Sequence, residues 1–260
     1  MSMSEVIQVK KENNIAYITM NRPDKLNALS VELSAQLNRA IREADEDPEV
    51  KVIILSGAGR AFCAGGDIGT FQKVNSVADM LKYMTEVVEI QKTIKSAKKY
   101  VISAVHGYAA GAGFSVALAS DFIVAHQEAK FAISFNNIGL IPDLGLVKNL
   151  SEVVPPQVAK EWISSARSIS AEEGYQRGFV NRIAENDVIE EATEFTQFII
   201  SGPPIANQFV KYLVNHATEL TNETFTMQEN TVQALLFQTL DHKEGVRAFF
   251  EKRKPEFKGE

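Results

Sequence analysis

The chain has 260 residues, enough for one large core or a core with a small appendage. Its hydrophobic share of 45% and charged share of 23% are ordinary for a globular protein, and a net charge of −6 argues against a broad nucleic-acid-binding face. A single cysteine, Cys63, excludes an intramolecular disulfide and makes a reducing cytoplasm the expected compartment.

Glu5 to Lys10 and Ile15 to Met20 read as a hairpin turning at Asn13-Asn14. Ser30 is placed to cap a helix running to about Glu46, with Leu33, Leu37 and Ile41 on one face. Asp47-Pro48 ends it, and Val50 to Leu55 reads as a buried strand. A second helix is expected from about Ser76 to Ser96, carrying Met80, Tyr83, Val87, Ile90 and Ile94. The strand Tyr100 to Val105, a short helix from Gly111 and the strand Asp121 to Ala125 follow. This alternation implies an α/β fold with a mostly parallel sheet flanked by helices. After Ser201-Gly-Pro-Pro204 the pattern is helical to about Lys252, expected to act as a lid and oligomer contact. The division is thus a core over 1–200 and a helical region over 201–260. The apolar stretch from Tyr108 to Ala119 is too short to cross a bilayer, and Met1-Ser-Met-Ser-Glu lacks the pattern of a signal peptide, so no membrane partner is expected.

Two glycine-rich segments stand out. Arg60-Ala-Phe-Cys-Ala-Gly-Gly-Asp-Ile-Gly69 and His106-Gly-Tyr-Ala-Ala-Gly-Ala-Gly-Phe-Ser115 each follow a strand-like run. Such residues let another molecule approach the backbone closely. Loops at the same ends of neighbouring strands can aim two N–H groups at one oxygen, which makes an oxyanion hole. Gly57-Ala-Gly59 and Gly111-Ala-Gly113 are not dinucleotide fingerprints: the third glycine position holds Phe62 after the first and Val116 after the second. Cys63 reads as a small apolar filler. The four histidines, at 106, 126, 216 and 242, have no metal-like spacing, so no metal is expected.

Asn21-Arg-Pro-Asp-Lys-Leu-Asn-Ala-Leu29, Phe62-Cys-Ala-Gly-Gly-Asp-Ile68, Gly107-Tyr-Ala-Ala-Gly-Ala-Gly113 and Glu244-Gly-Val-Arg-Ala-Phe-Phe-Glu-Lys-Arg-Lys254 together resemble the signatures of the crotonase (enoyl-CoA hydratase/isomerase) superfamily. The resemblance spans essentially the whole chain, with its motifs in order. It implies a spiral of ββα units with a C-terminal helical trimerisation region, and a homotrimer or dimer of trimers. It implies an acyl-CoA thioester as substrate and no separate cofactor. Carried over by position, the oxyanion donors are the backbone N–H groups of Gly66 and Ala112. Lys25, Leu26 and Ala28 fall in the first CoA loop, with Lys25 near the phosphates. Ala64 and Ile68 offer backbone groups to the adenine, Gly65 lies between them, and Asp67 orients the loop. Phe249 and Lys252 are expected near a neighbouring subunit's CoA.

The departures from the hydratase pattern decide the expected reaction. Hydratases of this superfamily carry two catalytic glutamates, and here Ser115 and Phe135 stand in their places. Adding water requires one group to activate it and one to deliver a proton to the α-carbon, and neither side chain does that unaided. One acid remains nearby, Asp143 in Gly139-Leu-Ile-Pro-Asp-Leu-Gly145, as in the superfamily's isomerases, including the phenylacetate-pathway ring-opening type. It is either the group that works on the acyl chain or a cap for a helix starting near Leu144. Leu140, Ile141, Leu144 and Leu146 are expected to make its surroundings apolar. The leading expectation is an isomerase that shifts a double bond through a thioester enolate. The alternatives are a hydratase by another route, a dehalogenase-like hydrolase, and a catalytically weak acyl-CoA binder. The hydrolase needs a histidine on the helix after the first loop, and Ser76 to Ser96 has none.

Overall fold

A computed structural model describes residues 5–71 and 76–260. The first strands, β1 (Ile7–Glu12) and β2 (Ile15–Met20), form the expected hairpin. Its two turn residues, Asn13 and Asn14, both have positive φ, the conformation that a tight two-residue hairpin needs and asparagine tolerates. The hairpin begins two residues later than the sequence suggested. The helix Val31–Glu46 follows, with Ser30 accepting the Leu33 N–H as its cap and Leu33, Leu37 and Ile41 buried.

β2 then pairs in parallel with β3 (Val52–Gly57), and β3 with β4 (Tyr100–Val105). Helix Val77–Ser96, capped by Ser76, lies between these two strands in sequence. Each later turn places one strand in the large sheet and one in a small sheet. After β4 the chain makes β5 (Tyr108–Ala110) and the helix Ala112–Ala119; after β6 (Phe122–His126) it makes β7 (Lys130–Ala132). β8 (Ser168–Ser170) joins the small sheet and β9 (Arg182–Ala184) closes the large one. The orders are β1-β2-β3-β4-β6-β9 and β5-β7-β8, parallel except for β1 with β2 and β7 with β8. The two-sheet spiral is the expected α/β architecture. The three-residue strands of the small sheet are too short to leave a periodic signal, and the sequence reading missed them.

Alternate residues of the central strands enter two separate cores. Ile53, Leu55, Val101, Val105 and Ile123 face the helices Val31–Glu46, Val77–Ser96 and Ala112–Ala119. Val52, Ile54, Ile102 and Val124 face helix Val188–Phe195. Burial on both faces explains the unbroken apolar run of β3. From Pro204 the chain is helical, as Pro204–His216, Asn222–Leu236 and Leu240–Glu251. The first of these is fastened to the core by Lys211, whose ammonium donates to Asp121 at 2.7 Å and to the carbonyls of Ile94 and Lys99. Among the described residues no helix is long and apolar enough to cross a membrane.

Candidate active site

The two glycine segments leave the same ends of β3 and β4 and are stitched into one surface. Phe62 N–H donates to His106 O (3.0 Å), Cys63 N–H to Tyr108 O (3.1 Å) and Ala110 N–H to Cys63 O (2.9 Å). The contact is so close that a Cβ on Gly113 would lie 2.3 Å from the Cys63 carbonyl oxygen. Gly65, at φ +102°, would carry a Cβ 2.8 Å from Ala110 O and 3.4 Å from Ala112 N. Glycine is therefore required at both positions by the approach of the other strand. Among the described residues, neither Gly66 nor Ala112 has its N–H in a backbone bond of these loops. Ala112 is the first residue of helix Ala112–Ala119, so its N–H is one of the donors that a helix leaves open, at the positive end of its dipole.

The loop of Asn21 to Leu29 packs against the first glycine segment. Leu29 N–H donates to Gly65 O (2.7 Å), and Leu29 O accepts from Asp67 N–H (3.1 Å), so the two contacts bracket Gly66. Arg22 reaches both loops, pairing with Asp67 at 2.9 Å and donating to Ala28 O at 2.7 Å. Buried Asn27 donates to the carbonyls of Ala58 and Ala61 and accepts from the Arg22 N–H. Lys25, Leu26, Ala28, Ala64, Gly65 and Asp67 are thus gathered on one side of the site. Lys25 closes a short helical turn there and is exposed. The Ala64 N–H is already taken by Leu26 O (2.9 Å), which leaves the Ala64 carbonyl as the backbone group for a ligand. Ile68 starts the short helix Ile68–Phe71 with its side chain exposed.

The sequence reading did not single out Arg22, Asn27 or Tyr83 as braces of this loop. Arg22 and Asn27 lie within the segment Asn21 to Leu29, but their partners, Asp67 and Ala61, are more than thirty residues away.

On the other side, Ser115 sits in the first turns of helix Ala112–Ala119, fully buried, and its hydroxyl donates to Gly111 O at 3.4 Å. Phe135 is buried on the turn Ser134–Ile138, its ring edge 3.8 Å from where a Cβ on Gly111 would stand. Phe135 therefore stands beside Gly111, at the start of helix Ala112–Ala119.

Asp143 precedes two left-handed residues, Leu144 (φ +46°) and Gly145 (φ +74°), which turn the chain into helix Leu146–Val153. A leucine in that conformation costs about 1–2 kcal/mol, and such strain clusters at functional positions. Asp143 does not cap this helix: the cap position is Gly145 and no side chain bonds there. Instead Oδ1 is buried with no hydrogen-bond partner among the described residues. Burial raises the carboxyl from its ordinary 3.8 to about 6, against the opposing influence of its own backbone N–H and of the Ser115 hydroxyl. The apolar surroundings are half as expected: Leu144 and Leu146 are buried, whereas Leu140 is exposed and Ile141 is 82% exposed.

Cys63 is inert here, buried with its thiol pushed up to about 12 by desolvation. His106 Nε2–H donates to the Gly59 carbonyl, 2.9 Å away, a structural contact. Phe249 is exposed on the last helix, and Lys252 ends that helix in a left-handed conformation.

These features bring the two glycine loops, with the Gly66 and Ala112 N–H groups, into one region with the buried Asp143 carboxyl, which meets the Ser115 hydroxyl. The family model for enoyl-CoA hydratase/isomerase matches residues 10–260. The mitochondrial enoyl-CoA hydratase of Pongo abelii is 37% identical over 249 residues, covering 95% of this chain and 85% of that protein. The 1,2-epoxyphenylacetyl-CoA isomerase of Escherichia coli is 30% identical over 261 residues, covering 99% and 100%. Among solved structures, an enoyl-CoA hydratase from a Polaromonas species superposes with a TM-score of 0.93 at 31% identity, covering 96% and 99%. The chain belongs to the enoyl-CoA hydratase/isomerase family, that is, to the crotonase superfamily.

Proposed function

We propose that the protein is an acyl-CoA isomerase that moves a carbon–carbon double bond along a thioester through an enolate. One observation carries this reading: Asp143 presents a desolvated carboxyl oxygen with no hydrogen-bond partner among the described residues, near Ser115 at the second glycine loop, while Ser115 and Phe135 hold the positions where, by resemblance, a hydratase needs glutamates. The Gly66 and Ala112 N–H groups hold the thioester oxygen. Ionised Asp143 takes a proton from one carbon, and the electrons move onto that oxygen to give the enolate. The protonated Asp143 then returns the proton at a different carbon of the conjugated system, and the double bond ends in its new place. Atoms and charge balance with no water consumed. One carboxyl group suffices, whereas hydration needs a water activated on one side and a proton delivered on the other.

Two N–H donors preorganised in a dry pocket supply much of the barrier reduction, and one such donor is typically worth about 2.7–4 kcal/mol. The pyrophosphate end of CoA lies along Lys25, Leu26 and Ala28, with its adenine against the backbone of Ala64 and the start of Ile68, and Gly65 and Asp67 hold the loop between. Phe135 and Ser115 bound the acyl end.

A homotrimer, or a pair of them, completes the site. Val210, Val214, Leu235, Phe237, Phe249 and Phe250 are all exposed on the C-terminal helices, more apolar surface than a monomer keeps open. Phe249 and Lys252 then reach a neighbour's CoA.

Hydration is the second reading, supported by the name of the Pongo abelii relative. Mass spectrometry of a panel of unsaturated acyl-CoA thioesters separates the two. Isomerisation leaves the mass unchanged and moves the double bond, whereas hydration adds the mass of one water. A hydration efficiency near 10⁶ M⁻¹s⁻¹, within the range of specialised enzymes, would overturn the isomerase reading.

A further inference from the structure

Helix Val77–Ser96 sends one polar side chain to the first glycine loop from the side opposite Arg22 and Asn27. Tyr83 is 5% exposed, and its hydroxyl donates to the Leu29 carbonyl at 3.1 Å. Leu29 is the residue that brackets Gly66, through its N–H to Gly65 O and its carbonyl from Asp67 N–H. The carbonyl therefore receives two donors, one from the loop and one from the helix. The Asp67 N–H also faces the phenol oxygen. Packing alone does not call for this hydroxyl, because a phenylalanine ring would fill the same apolar space. A buried tyrosine oxygen needs a partner, and here the partner is the backbone next to the candidate oxyanion donor. Burial, together with the nearby Asp143 and Asp67 carboxylates, keeps the phenol protonated, so it stays a donor at all working pH.

We propose that Tyr83 is a positioning residue: through Leu29 it fixes the direction in which the Gly66 N–H points. The proposal rests on the reading of Gly66 and Ala112 as the donors to the thioester oxygen. Arg22 and Asn27 hold the loop on the CoA side, and Tyr83 supplies the constraint from the helix side. Without it, the Leu29 carbonyl loses its donor from the helix, and the segment of Gly65 to Asp67, still held by the Leu29 N–H and by Arg22, is less tightly fixed in direction. Displacement of a reacting group by about 1 Å costs on the order of 10²-fold in rate, so partial rotation is felt in turnover before it is felt in affinity.

The test uses the full-length protein and an α,β-unsaturated acyl-CoA bound at saturation. Two N–H groups on the thioester oxygen weaken its C=O bond, which lowers the carbonyl stretching frequency seen by Raman or infrared difference spectroscopy. Tyr83→Phe keeps the ring and removes the donor. Tyr17→Phe is the matched control, because its hydroxyl bonds Thr193 at 3.1 Å, between β2 and helix Val188–Phe195, and its ring packs in the core on the other face of the large sheet. The expected result is a carbonyl band displaced back toward that of free thioester in Tyr83→Phe and not in Tyr17→Phe. Turnover falls about tenfold or more with KM within about twofold. Tyr83→Met, which also lacks the hydroxyl, shows the same displacement and covers the case in which Tyr83→Phe folds poorly. A parental protein that leaves the band unshifted overturns the oxyanion reading itself. A parental shift that Tyr83→Phe reproduces, with the same turnover, overturns the role of Tyr83 alone.

Discussion

Asp143→Asn separates catalysis from stability in one substitution. Asparagine keeps the shape of the side chain and cannot accept a proton. The buried carboxyl is raised from 3.8 to about 6, so its charged form is disfavoured by the fold. That difference corresponds to about 3 kcal/mol, and solvent reach and relaxation reduce the expected effect to about 1–2 kcal/mol. The sign follows from proton binding. Below about pH 4 the carboxyl is protonated in both folded and unfolded chains and nothing is gained or lost. Between about pH 4 and pH 6 the unfolded chain ionises first, so stability falls as pH rises. Above that window the full penalty stands. Asp143→Asn is therefore expected to be more stable than the parent at pH 7.5, by about 1–2 kcal/mol, and to lose this advantage near pH 4. Its turnover of acyl-CoA should fall about 10²–10⁴-fold, with affinity nearly unchanged. The parental kcat/KM should rise with pH through a limb near pH 6 that is missing from the variant's residual activity. Urea unfolding at the two pH values and steady-state kinetics read these quantities. A variant with parental turnover, or with a stability gain that is the same at pH 4 and pH 7.5, would refute the reasoning.

Gly113→Ala would place a Cβ 2.3 Å from the Cys63 carbonyl, so the two loops must part; a loss of about 1–3 kcal/mol in urea unfolding and a fall in turnover are expected, and unchanged values would show that the loops are not held in register. Lys211→Ala leaves the Asp121 carboxylate buried without its cation, and burial already pushes that carboxyl upward; a destabilisation of about 3–5 kcal/mol at pH 7 is expected, and a loss under about 1 kcal/mol would mean that the pair is not a fastening. Sedimentation should give a trimer or a multiple of it, and Phe249→Asp should weaken both assembly and acyl-CoA binding; a stable, active monomer would remove the proposed role of the C-terminal helices.

Elements with strong local signals were legible in the chain. Ser30 caps the first long helix as the sequence indicated, because an N-cap acts on the backbone only two or three residues away, and the second long helix starts close to Ser76, where its pattern begins. β3 and β4 were visible as buried runs, and the glycine segments as places of close backbone approach. The proposal that Ser115 and Phe135 stand where a hydratase carries glutamates rests only on the motif positions around them. The structure alone decided what depended on residues far apart in the chain. The small sheet of β5, β7 and β8 exists because three-residue strands find partners across the spiral. Asp143 is not a helix cap because the chain takes two left-handed residues before the helix begins, a choice made by packing around Leu144 and Leu146 rather than by local propensity. The closure of the Gly66 loop by Arg22, Asn27 and Tyr83 joins three separate segments, and only folding brings those donors to the same few carbonyls and one carboxylate. A one-dimensional pattern records which residues can do chemistry; burial and distance decide which of them meet.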